Sequence, residues 1–169
     1  MQVTNNHFVL FTLDDQKFVV PLATVESIAR TVQITPLPNA PDVVQGVINV
    51  HGRIIPVINI RKRFRFPEKE LDINDHLIIG RTSKQSIAFM VDNVEDIIDI
   101  SKEKIVEQQD ILPGLDHIEG AAKIEGDLII IHNLEKCLSI EEEQALIKVM
   151  TKKEKIQHMR EKKRGKEGK

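Results

Sequence analysis

Apolar residues in this chain fall in short runs separated by polar or glycine-bearing turns, a pattern that predicts many strands rather than long helices. Phe8-Val-Leu-Phe-Thr-Leu13 and Lys17-Phe-Val-Val20 flank Asp14-Asp15-Gln16 and read as a hairpin. From Pro21 to Arg30 the period changes. Leu22, Val25 and Ile28 recur at helical spacing, which predicts a helical turn with Pro21 at its start. Gln33 to Pro41 carries Pro36, Pro38 and Pro41; proline removes ladder donors, so an ordered irregular loop is expected. Gly46 to Ile60 reads as a second hairpin with His51-Gly52 at its tip, where glycine supplies the positive φ of a tight turn. Ile54, Ile55, Val57, Ile58 and Ile60 leave no polar face, which predicts burial on both sides. Asn59 to Phe66 predicts a short basic helix stopped by Pro67.

The second half repeats this order. His76 to Arg81 and Gln85 to Val91 predict a hairpin, and Val94-Glu-Asp-Ile97 echoes Val25-Glu-Ser-Ile28. Residues 99–119, with Pro113-Gly114, are polar and weakly patterned. Gly46–Ile60 then lies over Gly120–Leu134 without a gap at an offset of 74, matching Gly52 with Gly126 and Asn59 with Asn133. Each half reads strand, strand, helical turn, loop, hairpin, helical turn, with halves at about 7–66 and 76–138. Short strands joined by Gly and Pro turns suggest small barrels. Two copies, each curled into a barrel, would share an apolar seam, because so short a barrel supports only a marginal core alone. Residues 1–138 form this domain and 139–169 a C-terminal extension. Ser139-Ile-Glu-Glu142 fits a capping box. Leu146, Met150, Ile156 and Met159 or Arg160 sketch an apolar stripe, and disorder is expected from about Glu161.

An apolar fraction of 41% and a charged fraction of 30% are ordinary for a soluble globular chain. No apolar run approaches a membrane span, so no membrane insertion is expected, and no basic-then-apolar leader opens the chain. One cysteine, Cys137, excludes an internal disulfide and fits the cytoplasm. The net charge of −2 divides unevenly. Residues 151–169 hold nine Lys/Arg and three Glu, a net +6, leaving fifteen Lys/Arg against twenty-three Asp/Glu, or −8, in 1–150. Such a tail reads as a solvated helix end, or as a contact with a membrane surface, nucleic acid or an acidic partner.

Reaction chemistry is hard to place. The six histidines, at 7, 51, 76, 117, 132 and 158, have no helix-face ligand spacing, so no metal or other cofactor is expected. Cys137 reads as a small buried hydrophobe. Asp14-Asp15 and Asp72/Asp75 read as solvated turn residues rather than a catalytic pair. Nucleic-acid-binding barrels use aromatic stacking platforms. This chain has no Trp or Tyr, and Phe8, Phe11, Phe18 and Phe89 lie in strand patterns expected to be core, so no nucleic-acid partner is expected.

Gly46-Val-Ile-Asn-Val-His-Gly52-Arg-Ile-Ile-Pro-Val-Ile-Asn59-Ile60 closely resembles the pattern G-V-I-N-L-R-G-x-V-V-P-V-I-D-L of the CheW-like adaptor domain. Thr35 to Pro41, Phe18-Val-Val-Pro-Leu22 with Val25-Glu-Ser-Ile28, Val91-Asp-Asn-Val94 and Gly120 to Gly126 follow in that family's order, over roughly residues 7–138. The resemblance implies two pseudo-repeated five-stranded SH3-like barrels around a shared hydrophobic core, with a C-terminal helix. It implies a non-catalytic adaptor between the cytoplasmic tips of methyl-accepting chemotaxis receptors and the regulatory domain of a CheA-type histidine kinase. It implies contact residues among Val25, Ser27, Gly46, Asn49, His51, Gly52, Arg53 and Ile54. The family usually has Glu at the position of Ser27, Arg at that of His51 and Asp at that of Asn59. Those departures suggest a changed electrostatic partner code, or an adaptor for another sensory or motility system.

Overall fold

The computed structural model describes residues 6–30, 32–107 and 117–167, with side chains up to Thr151 together with Met159 and Lys162. Eleven strands and two helices are described: β1 (His7–Leu13), β2 (Gln16–Pro21), β3 (Val25–Arg30), β4 (Val44–Val50), β5 (Arg53–Ile58), α1 (Ile60–Arg63), β6 (His76–Arg81), β7 (Ser86–Val91), β8 (Asn93–Asp99), β9 (Ile105–Glu107), β10 (Ile118–Ile124), β11 (Asp127–His132) and α2 (Ile140–Glu167). The expected hairpins form, β6–β7 through the four-residue turn Thr82–Gln85 and the others through tight two-residue turns. Asp14 and Asp15 (φ 47° and 68°), and His51 and Gly52 (φ 51° and 85°), take the left-handed conformation that matches strand twist.

The sequence repeat survives folding in detail. β4 and β10 carry the same burial pattern, and each register shifts at its glycine, Gly46 or Gly120. Both glycines exist because another chain segment passes too close for a side chain. A Cβ on Gly46 would lie 2.2 Å from the Thr35 carbonyl oxygen, and one on Gly120 would lie 2.4 Å from that of Val106.

The assignment of one half to one barrel is overturned. One sheet has the order β3-β6-β7-β5-β4 and the other β8-β1-β2-β11-β10-β9. The first hairpin of each half therefore completes the barrel of the other half. β2 pairs parallel with β11, and β7 pairs parallel with β5. The cause is local. Only Leu22–Thr24 separates β2 from β3, and only Asp92 separates β7 from β8. A single residue cannot reverse a strand, and the turn at Leu22–Thr24 is entered and left through extended Pro21 and Val25, so in both places the chain runs on into the second sheet. The barrels also differ in strand number. The second has a sixth short strand, β9, where the first has the single bridge Thr35–Val47. Of the weakly patterned 99–119 stretch, residues 108–116, with Pro113-Gly114, lie outside the described residues.

The helical turns expected at Val25–Ile28 and Val94–Ile97 are strands; only Leu22–Thr24 turns, as one 3₁₀ segment. The three-residue apolar spacing arises from a β-bulge. Val25 pairs with Gly80 and Ser27 with Ile79, leaving Glu26 as the extra residue, and Glu95 is skipped in the same way between Val94 and Asp96.

Three apolar clusters fill this frame. Ile48, Ile55, Val57, Leu77, Ile79 and Ala88 fill one barrel, and Phe8, Leu10, Val19, Ala122, Ile129 and Ile131 belong to the other. The largest is the seam, where Phe11, Phe18, Ile58, Ile78, Phe89, Leu134 and Cys137 meet Leu146 and Met150 of α2. Alternate residues of β2 and β7 thus face a barrel interior and the seam, which is the two-sided burial expected of uninterrupted aliphatic strands. Phe18 stacks on Phe11 at 5.5 Å and packs against Phe64 at 4.7 Å. The capping box is present: Glu142 N–H donates to Ser139 Oγ (3.1 Å), and Ser139 N–H to a Glu142 carboxylate oxygen (2.8 Å). Helix α2 continues through Glu167, past the expected end of order, on a sequence of strong helix formers. The Ile156 and Arg160 side chains lie outside the described residues.

The turn acids are not simply solvated. Arg61 is buried and donates to both carboxylate oxygens of Asp14 (2.9 and 3.0 Å), to Asp92 (2.7 Å) and to the Pro67 carbonyl. Asp92 also accepts from the Asp14 N–H (2.8 Å), so this cluster pins the β7–β8 crossover to the β1–β2 turn. The hydrogen bond from Arg61 holds the Asp14 carboxyl below its usual range. Asp75 is itself buried, bonded by Lys69 and by the Asp72 N–H.

Two outcomes test this frame. Arg61→Ala leaves Asp14 and Asp92 facing each other with, among the described residues, only Lys69 still beside Asp92 (3.5 Å) and should cost about 3 kcal/mol in denaturant unfolding; a loss below about 1 kcal/mol would mark an ordinary surface bridge. His132 is fully buried, its Nδ1–H donating to the His117 carbonyl, and burial pushes its pKa down to about 3. The unfolded imidazole takes up a proton below about 6.5 that the folded one refuses, so stability falls with pH below that point. Between pH 6 and 4.5 the wild type should lose about 1.4 kcal/mol per pH unit more than His132→Leu. Equal slopes would show that folded His132 accepts the proton.

Candidate functional site

The hairpin β4–β5 and strand β3 carry all eight sequence-derived contact candidates, and the structure separates them by job. Gly46 is buried and lets the Thr35 segment approach. Asn49 is exposed, and its side-chain oxygen accepts from the Gly52 N–H at 2.9 Å, fixing the turn that projects His51. Val25 and Ile54 are half-buried and pack against the seam. Ser27, His51, Gly52 and Arg53 are exposed.

The contact joining β3 to the hairpin is made by a residue that the sequence reading passed over. Glu26 accepts from Arg53 Nη1 (3.2 Å) and from Ser86 Oγ (2.5 Å), while Arg53 Nη2 donates to Ser86 Oγ (2.6 Å). Arg81 stands 3.9 Å from the same carboxylate. These four residues sit on β3, β6, β7 and β5, which are consecutive in the sheet, so they form a row across one end of the barrel beside the His51 tip. The bond from Ser86 is the largest of the effects that lower the Glu26 pKa, followed among the lowering effects by Arg53. The row carries one carboxylate and two guanidiniums and so leaves a positive excess.

Glu26 reaches this position because it is the bulged residue, and a bulge re-aims its side chain. A helical reading of Val25–Ile28 put Glu26 on an unrelated face. Reading the same four residues as a strand, with Glu26 one place before the expected Ser27, was the signal that could have found it. Sequence gives no comparable sign of Ser86.

Residues with reactive side chains lie elsewhere. Cys137 is fully buried at the seam, and burial pushes its thiol up to about 12, which removes it as a nucleophile. Among the described residues, no group of three or more His, Cys, Asp or Glu could hold a metal ion. No helix among them is long and apolar enough to cross a membrane.

Two SH3-like barrels fused through one core, with a rigid turn and a charged row at one end, define a scaffold of the double-barrel class. The family model for the CheW-like domain matches residues 7–142. The chemotaxis protein CheW of Thermotoga maritima is 30% identical over 134 residues, covering 76% of this chain and 84% of its own. That of Klebsiella aerogenes is 27% identical over 143 residues, covering 83% and 86%. The crystal structure of the scaffolding protein TtCheW from Thermoanaerobacter tengcongensis matches with a TM-score of 0.75 at 27% identity, over 82% of this chain and 96% of that one. The chain belongs to the CheW-like domain family, and its role is that of a chemotaxis adaptor.

If the charged row organises the hairpin end, Ser86→Ala should raise the Glu26 pKa and loosen Arg53. Carboxylate chemical shifts followed through a pH titration would measure the first. An unchanged Glu26 midpoint would show that Arg53 alone sets the site.

Proposed function

We propose that this protein links the cytoplasmic tips of methyl-accepting chemotaxis receptors to the regulatory domain of a CheA-type histidine kinase, without chemistry of its own. It works in the cytoplasm, beside membrane-embedded receptor arrays. The family match across the whole double barrel carries this reading. In it, Ser27, His51 and Arg53 meet the partner. Val25 and Ile54 support them from the seam side, and Gly46, Asn49 and Gly52 give the hairpin its shape. Glu26 and Arg81 join the contact set through the charged row. Charges at such a rim set partner choice and encounter rate more than total affinity.

One observation favours a second reading within the same fold. Ser27 and His51 stand where the family usually has Glu and Arg, which fits an adaptor for another sensory or motility system. In this chain a Glu–Arg pair exists one and two positions away, as Glu26 and Arg53.

The purified protein should form a complex with the regulatory domain of a CheA-type kinase from its own organism, measured by titration calorimetry; no complex with any such kinase would overturn the proposal. Glu26→Lys should weaken binding to a receptor-tip fragment at least tenfold, about 1.4 kcal/mol. The swap Glu26→Lys with Arg53→Glu separates two roles for the pair. Recovery of affinity would mean that the pair only positions the hairpin, and continued loss that the partner reads its charges. Gained binding to standard receptor tips by Ser27→Glu with His51→Arg would favour the second reading.

A further inference from the structure

Helix α2 runs on past the domain it closes. Its last described buried side chain is Met150, and the family match ends at residue 142, yet the helix runs to Glu167. Seventeen residues beyond Met150 extend about 25 Å at the helical rise. This arm holds most of the +6 of residues 151–169, against −8 for the rest of the chain. It has neither Pro nor Gly between Ile140 and Arg164, so nothing in its sequence lets it kink back onto its own barrel. In sequence, Ile156 and Met159 are three apart, a helical same-face pair set among Lys and Arg, and Met159 is exposed.

The complementary surface is in the same molecule. β8, β9 and the turn between them expose Glu95, Asp96, Glu103 and Glu107, together with Asp99, whose carboxylate is bonded to His7, against Lys102 and Lys104. Ile97 and Val106 on those two strands are large exposed hydrophobics, at 54% and 49%. β8 and β9 are the two edge strands of their sheet. Ile98 of β8, Ile100 of the link and Ile105 of β9 pack in one cluster, which brings the two edges together. This acidic surface with two apolar residues answers a basic helix with two apolar residues.

We propose that the distal half of α2 docks on the β8–β9 face of a second copy of this chain. Exchange of two such arms makes a closed, two-fold contact in which each copy gives a helix and receives one. An anionic membrane is the poorer match. The arm carries too little apolar surface to bury in a bilayer interface, and the acidic body is repelled from anionic lipid. Nucleic acid meets the same repulsion.

Sedimentation velocity on the full chain tests this. At about 20 mM salt the protein should associate reversibly, and at about 500 mM, where the screening length falls to a few ångströms, it should be monomeric. Lys152→Glu with Lys153→Glu and Lys155→Glu should weaken association at least tenfold, as should Glu95→Lys with Glu107→Lys. Circular dichroism confirms that each variant is folded. Mixing the two variants reunites opposite charges at both contacts and should restore association, which general charge repulsion would not explain. A monomer at low salt at every concentration overturns the proposal. So does association indifferent to both variants, or an intact monomer that binds phosphatidylglycerol vesicles through those lysines.

Discussion

A barrel of five or six short strands cannot enclose enough apolar surface to stand alone, and that constraint organises the whole molecule. The chain meets it by giving each barrel a second wall. Phe11, Phe18, Ile58, Ile78, Phe89 and Leu134 point away from their barrel interiors into one shared seam. Strands that stand between the seam and a barrel interior, β2 and β7 among them, must then be apolar on both faces, which is why they show no polar alternation. The seam also draws in Leu146 and Met150, so the start of α2 belongs to the core although it follows both barrels in sequence.

Crossing between barrels brings polar backbone and charge close to this apolar seam. Asp92 is the only residue between β7 and β8, and it is held by Arg61 and by the Asp14 N–H. The buried guanidinium therefore fastens a turn from the first half to a crossover from the second. It gives the exchanged hairpins one registration, because a shifted crossover would leave a buried charge unpaired. His132 lies at the same seam with its ring against Phe64 and Phe89, held neutral by burial.

The contact surface is a by-product of the same geometry. The bulge in β3 exists where the strand leaves the crossover and joins β6, and it turns Glu26 toward Arg53 and Ser86. The end of the barrel that carries the hairpin tip thus has a fixed arrangement of charges on a rigid frame. The second barrel has the same bulge at Glu95, with Lys17 bonded to Asp127 in place of an arginine row, so the pseudo-symmetric ends differ in charge rather than in shape.

Much of this was written in the sequence. The repeat at an offset of 74, the hairpin tip at His51-Gly52 with its counterpart Gly126, the two-sided burial of β5 and the capping box at Ser139 depend on neighbours a few residues away, and local patterns record them. The family pattern over Gly46–Ile60 was legible for the same reason. Three features were decided only by tertiary structure. Which barrel a hairpin completes depends on pairing between residues from about thirty to over a hundred apart, as when Val57 meets Ala88 and Phe18 meets Ile130, and periodicity carries no trace of those partners. A bulge looks like a change of period, so β3 and β8 read as helical turns until β6 and β1 supply their registers. The value of a charge depends on what surrounds it: Asp14 and Glu26 look like any surface acids in the sequence, and only the fold brings Arg61 and Arg53 to them.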